Sequence, residues 1–119
     1  MNLSHTIATH PSGVVKLVLT GKILTDNDFI AIHEAIDGQL KHKKNAFMVD
    51  LAGISYINSS GLNLLLRLFT KIRNKAGEIV YINPSESVNS LLNISKLNTI
   101  FKLCANEAEA LNILNAAKA

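Results

Sequence analysis

The feature that most constrains this chain is its alternation of strand-like and helix-like segments. Residues 46–51 form an apolar run closed by Asp50 and Leu51, the pattern of a strand buried inside a sheet. The segment before this run places its apolar residues at helical spacing instead, at Phe29, Ile32 and Ile36. Alternation of this kind favours parallel strands joined by right-handed helical crossovers.

The predicted order of elements is β-β-α-β-α-β-α-β-α. The first two strands, residues 4–10 and 14–19, flank a turn with Pro11 and Gly13 and therefore form an antiparallel hairpin. Later strands are predicted at residues 46–51, 78–82 and 99–103. Helices are predicted after Thr25 or Asp26, from about Ser60 to Asn74 with Gly77 as the terminating glycine, from residues 83–85, and after Asn106. The fold class is α/β: a small mixed β-sheet with an N-terminal antiparallel hairpin and then parallel strands, packed with about four helices.

Length and composition limit the classes of protein further. The 119 residues, 48% of them hydrophobic and 18% charged, predict one folded domain over residues 1–119 that buries about two-thirds of its surface. No apolar run reaches the ~18 residues of a membrane span, and the N-terminus lacks the pattern of a signal peptide. The single cysteine, Cys104, excludes an internal disulfide. We expect a cytoplasmic protein without membrane insertion.

Sequence signatures of enzymes and cofactor sites are absent. There is no GxxxxGK[ST] or GxGxxG segment, and the nearest approach to GxSxG, residues 58–61, has Asn58 in place of the first glycine. The four histidines have no metal-ligand spacing, and aromatic residues are only 5% with no tryptophan. We therefore expect no enzymatic activity, metal, cofactor or direct nucleic-acid binding. Cys104 precedes a helix but fits a small buried apolar residue better than a reactive thiolate.

The informative segment is residues 50–62, where a buried strand is followed by a loop and by paired serines that open a helix. The N-terminus of a helix has unpaired N–H groups and a positive partial charge, so a phosphate on Ser60 would be accommodated there. Serine is also a common N-cap, and on this alternative Ser59 or Ser60 would only cap the helix.

The helix itself has one apolar residue outside its predicted core stripe. At 100° per residue from Leu62, Leu64 falls well off that stripe and shares a ridge with Ser60, Arg67 and Lys71. The stripe itself consists of Leu62, Leu65, Leu66, Phe69 and Ile72. An exposed Leu64 between a serine and two cations suits a docking surface, although a single exposed leucine is also common.

At this point the chain resembles the STAS domain family, the anti-sigma factor antagonists. The residues that carry the resemblance are 19–21 (Leu-Thr-Gly), 49–54, 57–62 (Ile-Asn-Ser-Ser-Gly-Leu) and Phe101 through the final helix. The resemblance implies a partner switch: the unphosphorylated protein binds an anti-sigma factor with a serine kinase fold, that kinase phosphorylates Ser60, and a phosphatase reverses the modification. The implied partner-binding residues are Asn58, Ser59, Ser60, Gly61, Leu62, Leu64, Arg67, Gly21 and Leu24.

Two positions depart from the family pattern. Asn58 stands where relatives usually have aspartate, and residues 21–24 read Gly-Lys-Ile-Leu where relatives often have Gly-Glu-Leu-Asp. The loss of acids agrees with the net charge of +3 and favours a different choice of partner. An alternative is therefore a STAS subunit of a lipid or anion transport complex, or of a stress-signalling scaffold, without phosphorylation. An enzyme would require a histidine beside Ser60 that the spacing does not provide.

Overall fold

A computed structural model describes residues 3–42 and 44–118, except for the side chains of residues 116–118. The five strands are β1 (Leu3–Thr9), β2 (Val15–Ile23), β3 (Ala46–Ile57), β4 (Glu78–Ile82) and β5 (Leu103–Cys104). The four helices are α1 (Asp26–Lys41), α2 (Ser59–Asn74), α3 (Glu86–Ser95) and α4 (Glu107–Lys118), with a short 3₁₀ turn at Leu97–Thr99. None of the helices in the described part of the chain is long and apolar enough to cross a bilayer.

The strands form one sheet in the order β1-β2-β3-β4-β5. β1 is antiparallel to β2, and every later neighbour is parallel. The predicted mixed α/β fold, with its hairpin at one edge, is therefore confirmed. Because β2, β3 and β4 are parallel and each leads into a helix, their carboxyl ends and the starts of α1, α2 and α3 lie at the same end of the sheet.

The apolar run of residues 46–51 contributes to two separate cores. Phe47 and Val49 join α1, α2 and α3 in a large cluster on one face of the sheet. Ala46 and Met48 join Ala110 and other residues of α4 in a smaller cluster on the opposite face. Side chains alternate along a strand, so a run that is apolar at successive positions supplies both faces.

Two strand boundaries differ from those predicted. β3 continues to Ile57, through residues predicted as a loop, because β2 also continues and pairs with it up to Ile23↔Ile57. The last strand is only Leu103–Cys104, and part of the predicted strand at residues 99–103 belongs to the 3₁₀ turn. The predicted end of α2 at Asn74 is confirmed, but the left-handed residue after it is Ala76, at φ 60°, and not Gly77, whose amide donates back to the Ile72 carbonyl at 2.9 Å.

Candidate functional site

The helix that carries the paired serines begins at Asn58. The Asn58 Oδ1 accepts a hydrogen bond from the Gly61 amide at 2.8 Å, and the Asn58 carbonyl accepts one from Leu62 at 2.9 Å. Asn58 is therefore the N-cap, and Ser59 and Ser60 are the first two helical residues. The alternative in which a serine caps this helix is wrong.

Asn58 also joins α2 to the segment between β2 and α1. Its Nδ2 donates to the Leu24 carbonyl at 3.4 Å, and its backbone amide donates to the Ile23 carbonyl at 3.5 Å. A carboxylate at this position could cap the helix but could not donate to Leu24. Gly21 lies earlier on β2, and its carbonyl accepts a hydrogen bond from the Ser55 hydroxyl at 3.3 Å. The structure thus brings Leu24 and Asn58 into contact and places Gly21 on the neighbouring part of β2.

Gly61 allows the first turn of α2 to rest directly on the end of β2. A Cβ at this position would lie 2.4 Å from the Ile23 carbonyl oxygen and 2.9 Å from Ile57 Cγ1. Only a residue without a side chain permits that approach. Gly61 and Leu62 are both buried, so these two predicted contact residues shape the site from beneath and do not face solvent.

Ser59 and Ser60 are both exposed at the end of this helix. In the described residues their amides donate to no protein acceptor, and the first turn of α2 contains no acidic residue. The positive partial charge of the helix N-terminus is therefore uncompensated by its own sequence beside two free hydroxyls. An anionic group attached to Ser60 would meet favourable electrostatics there.

The prediction that Leu64 is exposed is wrong. Its side chain is only 1% exposed and belongs to the main core. The ridge it shares with Arg67 and Lys71 faces α1, because Arg67 pairs with Asp26 at 3.4 Å and Lys71 with Asp37 at 3.0 Å. Of the predicted ridge, Ser60 and Arg67 are exposed, and Arg67 already has an anionic partner.

The histidine nearest this ridge lies between the two helices. The ring of His33 contacts Phe29 edge-on at a centroid distance of 5.7 Å, and its Nδ1 is buried without a hydrogen-bond partner in the described residues. Burial lowers the pKa of His33, and the nearby Lys71 ammonium lowers it further. His33 therefore favours its neutral form and does not act as a cation at this surface.

Other candidate chemical groups do not form a site. Cys104 is buried, and burial, followed by the neighbouring Glu109 carboxylate, raises the pKa of its thiol. It therefore lacks the thiolate character of a reactive cysteine. No cluster of three or more potential metal ligands occurs among residues 3–42 and 44–118. A cavity of about 590 Å³ lies beside Cys104, and its lining includes Asn83 and Leu103 but neither Ser59 nor Ser60.

A groove that the sequence does not predict lies between the end of β3 and α3. A cavity of about 430 Å³ there has a mixed lining, with four apolar or aromatic residues (Tyr56, Ile57, Leu91, Ile94) and three polar ones (Glu86, Ser87, Ser90). Tyr56 is 50% exposed and Ile94 78% exposed. The available signal was Ile94 itself, an apolar residue of α3 that lies outside the core pattern of Val88, Leu91 and Leu92.

The chain is similar to known proteins in sequence and in fold. The model of the STAS domain family matches residues 5–110. An anti-sigma F factor antagonist of Paenibacillus polymyxa is 29% identical over 109 residues, which cover 88% of this chain and 90% of that protein. The anti-sigma factor antagonist SpoIIAA in its unphosphorylated form superposes with a TM-score of 0.76 at 20% identity, covering 95% of this chain and 97% of that chain. The phosphorylated form of the Bacillus cell fate determinant SpoIIAA gives a TM-score of 0.69 at 21% identity, covering 92% and 98%. The two structural likenesses show the fold alone, and the match of the family model over residues 5–110 shows that the chain belongs to the STAS domain family.

Proposed function

We propose that this chain is an anti-sigma factor antagonist that works as a phospho-switched binding module. Its partner is an anti-sigma factor with a serine kinase fold, its phospho-acceptor is Ser60, and a phosphatase restores the unmodified state. The observation that carries the proposal is the exposed hydroxyl of Ser60 in the first turn of a helix with no acid of its own. A binding role of this kind requires no catalytic group, metal or cofactor in this chain, and the partner would place it in the cytoplasm.

The switch acts through the partner and leaves the fold unchanged. A phosphate adds about −1.5 to −2 charges to Ser60, and the unpaired amides at the start of α2 stabilise that charge. A partner surface pressed against the same turn would have to desolvate a doubly charged group, which costs several kcal/mol if the group finds no counter-charge. The complex therefore forms with the unphosphorylated protein and dissociates after modification.

Asn58 supports this switch although it replaces the usual aspartate of the family. The amide caps α2 and also holds the Leu24 carbonyl, so the geometry of the turn does not require a carboxylate. A neutral cap leaves the phosphate on Ser60 without a negative neighbour at the helix start. The substitution thus favours the phosphorylated form of this protein and changes the charge that the partner meets.

The surface proposed for the partner differs in part from the set expected from the sequence. Ser59 and Ser60 form its centre, and the exposed side chains of Tyr56 and Ile94 supply apolar contacts in the groove between β3 and α3, whose lining also includes Glu86. Aromatic and aliphatic anchors at the centre of an interface commonly carry most of the binding energy. The buried residues Gly61, Leu62 and Leu64 fix the shape of this surface, and Asn58, Gly21 and Leu24 hold its border.

Phosphate transfer and binding test the proposal directly. The purified chain is incubated with radiolabelled ATP and the purified anti-sigma kinase encoded nearest to its gene. We expect labelling of the wild type and of Ser59→Ala, but none of Ser60→Ala. Ser59 is the matched control because it is an equally exposed serine in the same turn.

Binding is measured in parallel by calorimetry with the same kinase. We expect Ser60→Ala to bind and Ser60→Asp to lose at least tenfold in affinity. Absence of any complex with the wild type, or an unchanged affinity of Ser60→Asp, would contradict the proposal. Co-purification with a permease or a scaffold, without phosphate incorporation, would instead support the alternative of a STAS subunit in such an assembly.

A further inference from the structure

Two ion pairs join α1 to α2, and together they show how the side chain of Arg67 lies. Arg67 pairs with Asp26 at 3.4 Å, and Lys71 pairs with Asp37 at 3.0 Å. Along α1 the two acids are about 16 Å apart, whereas along α2 the two cations are only about 6 Å apart. The two helices run in the same direction because they follow the parallel strands β2 and β3. The side chains must therefore span the difference of roughly 10 Å.

The two cationic side chains diverge to span this difference. Arg67 reaches towards the start of α2, and Lys71 reaches towards its end. Long side chains in a helix lean towards its N-terminus in any case, so Arg67 follows the usual direction. An equal share of the span places the guanidinium about 5 Å nearer to the start of α2 than the Cα of Arg67.

Ser60 lies on the same side of α2 as Arg67. The seven residues between these positions advance the helix by about 700°, which is about 20° short of two full turns, and by about 10 Å along the axis. This side of α2 faces α1, because both of its cations pair with acids of that helix. The guanidinium of Arg67 therefore lies within about one helical turn, or roughly 5 Å, of the level of Ser60.

The ion pair that holds Arg67 is one that a stronger anion can displace. The side chains of Arg67 and Asp26 are 62% and 74% exposed, and ion pairs between such exposed groups contribute little to stability. A phosphoserine carries close to two negative charges at neutral pH and offers three oxygens, which a guanidinium binds in a bidentate manner. The first turn of α2 contains no acidic residue that would compete with a phosphate on Ser60.

We propose that Arg67 is the internal ligand of the phosphorylated protein, and that a phosphate on Ser60 takes the guanidinium over from Asp26. The inference rests on the proposed modification of Ser60 and names the residue on which that modification acts. Only exposed side chains move in this exchange, so the helices keep their positions.

The exchange extends the switch from α2 to α1. In the unmodified protein Arg67 neutralises Asp26, the first residue of α1. After modification the phosphate keeps a net negative charge although Arg67 binds it, and the carboxylate of Asp26 has lost its cation. The partner therefore meets new negative charge at the starts of both helices, which opposes binding over a wider surface than the phosphate alone.

Phosphorus NMR of the full chain tests the proposal. Phosphoserine is incorporated at position 60 during translation, so that no kinase is needed, and the second ionisation of its phosphate, at a pKa of about 6, is followed by titration. We expect Arg67→Gln to raise this pKa by about half a unit, because the dianion loses its guanidinium. Arg67→Lys should restore part of the difference. Asp26→Asn should lower the pKa, because it removes the competing carboxylate.

Two control variants remove a cation elsewhere. Arg73→Gln removes an exposed arginine that pairs with Glu78 near the other end of α2, and Lys22→Gln removes an exposed lysine near the end of β2. Both should leave the pKa of the phosphate almost unchanged. Circular dichroism establishes that the variants fold, which is expected because Asp26 and Arg67 are exposed.

The outcomes separate this inference from the proposed function. No change of the phosphate pKa in Arg67→Gln, or an equal change in Arg73→Gln or Lys22→Gln, overturns the role of Arg67. A wild type that the kinase labels at Ser60, but whose phosphate pKa does not respond to Arg67→Gln, retains the proposed function and loses this inference. A response to Arg67→Gln in a chain that the kinase does not label supports the contact and contradicts the proposed function.

Discussion

The first turns of α1 and α2 start at the same end of the sheet but are stabilised in different ways. In α1, Asp28 accepts hydrogen bonds from the amides of Leu24 and Thr25, each at 3.0 Å, and Asp26 adds a second acid. In α2 a neutral asparagine caps the helix, and the first turn has no acid. The start of α1 is thus neutralised by its own side chains, whereas that of α2 is left positive.

This difference separates a structural helix start from one available to an external group. Among the helices of the described chain, α1, α3 and α4 all have acidic residues in the first turn, and α2 has none. A carboxylate there would stabilise the domain at little cost, so folding does not explain its absence. The absence agrees with the proposed modification of Ser60, because an added phosphate would itself supply the missing negative charge.

The largest effect should come from adding a methyl group at the start of α2. We expect Gly61→Ala to lower the free energy of unfolding by about 3 kcal/mol, because its Cβ would overlap the Ile23 carbonyl oxygen. Urea unfolding measures the loss. The same change in α1, Gly38→Ala, meets nothing within 4 Å and should raise stability by up to about 1 kcal/mol. Equal effects of the two changes would show that α2 does not rest on β2 as described.

The next largest effect should come from removing the cap of α2. Asn58→Ala deletes the acceptor of the Gly61 amide and the donor to the Leu24 carbonyl, so we expect a loss of about 1.5 kcal/mol in urea unfolding. Asn58→Asp keeps the acceptor and adds a favourable charge at the helix start, and it should lose less. If Asn58→Asp is as damaging as Asn58→Ala, then the hydrogen bond to Leu24 is the main contribution of this side chain.

Removing the charge of Asp28 at the start of α1 should lower the free energy of unfolding by a smaller amount. Asp28→Asn retains an oxygen acceptor but removes the negative charge, and we expect stability to fall by about 0.7 kcal/mol. Thermal or urea unfolding at low and high salt measures this loss of stability. The difference in stability between Asp28→Asn and the wild type should shrink as the salt concentration rises. A loss that does not depend on salt would indicate that Asp28 acts through hydrogen-bond geometry and not through charge.

The sequence predicts an element best where the apolar pattern along the chain is clear by itself. The run of residues 46–51 and the apolar spacing of α1 are strong signals because all the apolar side chains of the run, and Phe29, Ile32 and Ile36 of α1, are buried in the core. The extension of β3 to Ile57 could not be read in the same way. Residues 52–57 mix exposed and buried positions, and they form a strand only because β2 runs beside them.

In the candidate site, too, the sequence predicts what depends on a local pattern and not what depends on contacts between distant elements. Ser60 was placed correctly on an exposed helix start, because a strand, a polar loop and paired serines are a local pattern. The prediction for Leu64 is wrong because a helical wheel centred on Leu62 turns the core stripe away from Leu64. The buried residues Leu64, Leu68 and Ile72 show that the core arc is turned towards α1, a contact between helices distant in sequence. The groove at Tyr56 and Ile94 was missed for the same reason.

The smallest predicted effect is also the sharpest test of the contrast between the two helix starts. Ser60→Asp places a carboxylate in the first turn of α2, and we expect a gain of about 0.5 kcal/mol in the free energy of unfolding at low salt. Ser60→Asn, of nearly the same size but neutral, is the matched control and should give no comparable gain. A helix start that is already neutralised would give no difference between the two variants, and the contrast with α1 would then be wrong.

Ser60→Asp should raise the stability of the domain and lower its affinity for the partner. The carboxylate stabilises the isolated domain because the amides of α2 are unpaired, yet it weakens the proposed complex because the partner must desolvate it. A mutation that damaged the fold would instead lower both quantities. Measured together, a more stable Ser60→Asp protein with reduced affinity separates a switch at the surface from a defect in the domain, because only charge at the helix start produces both results.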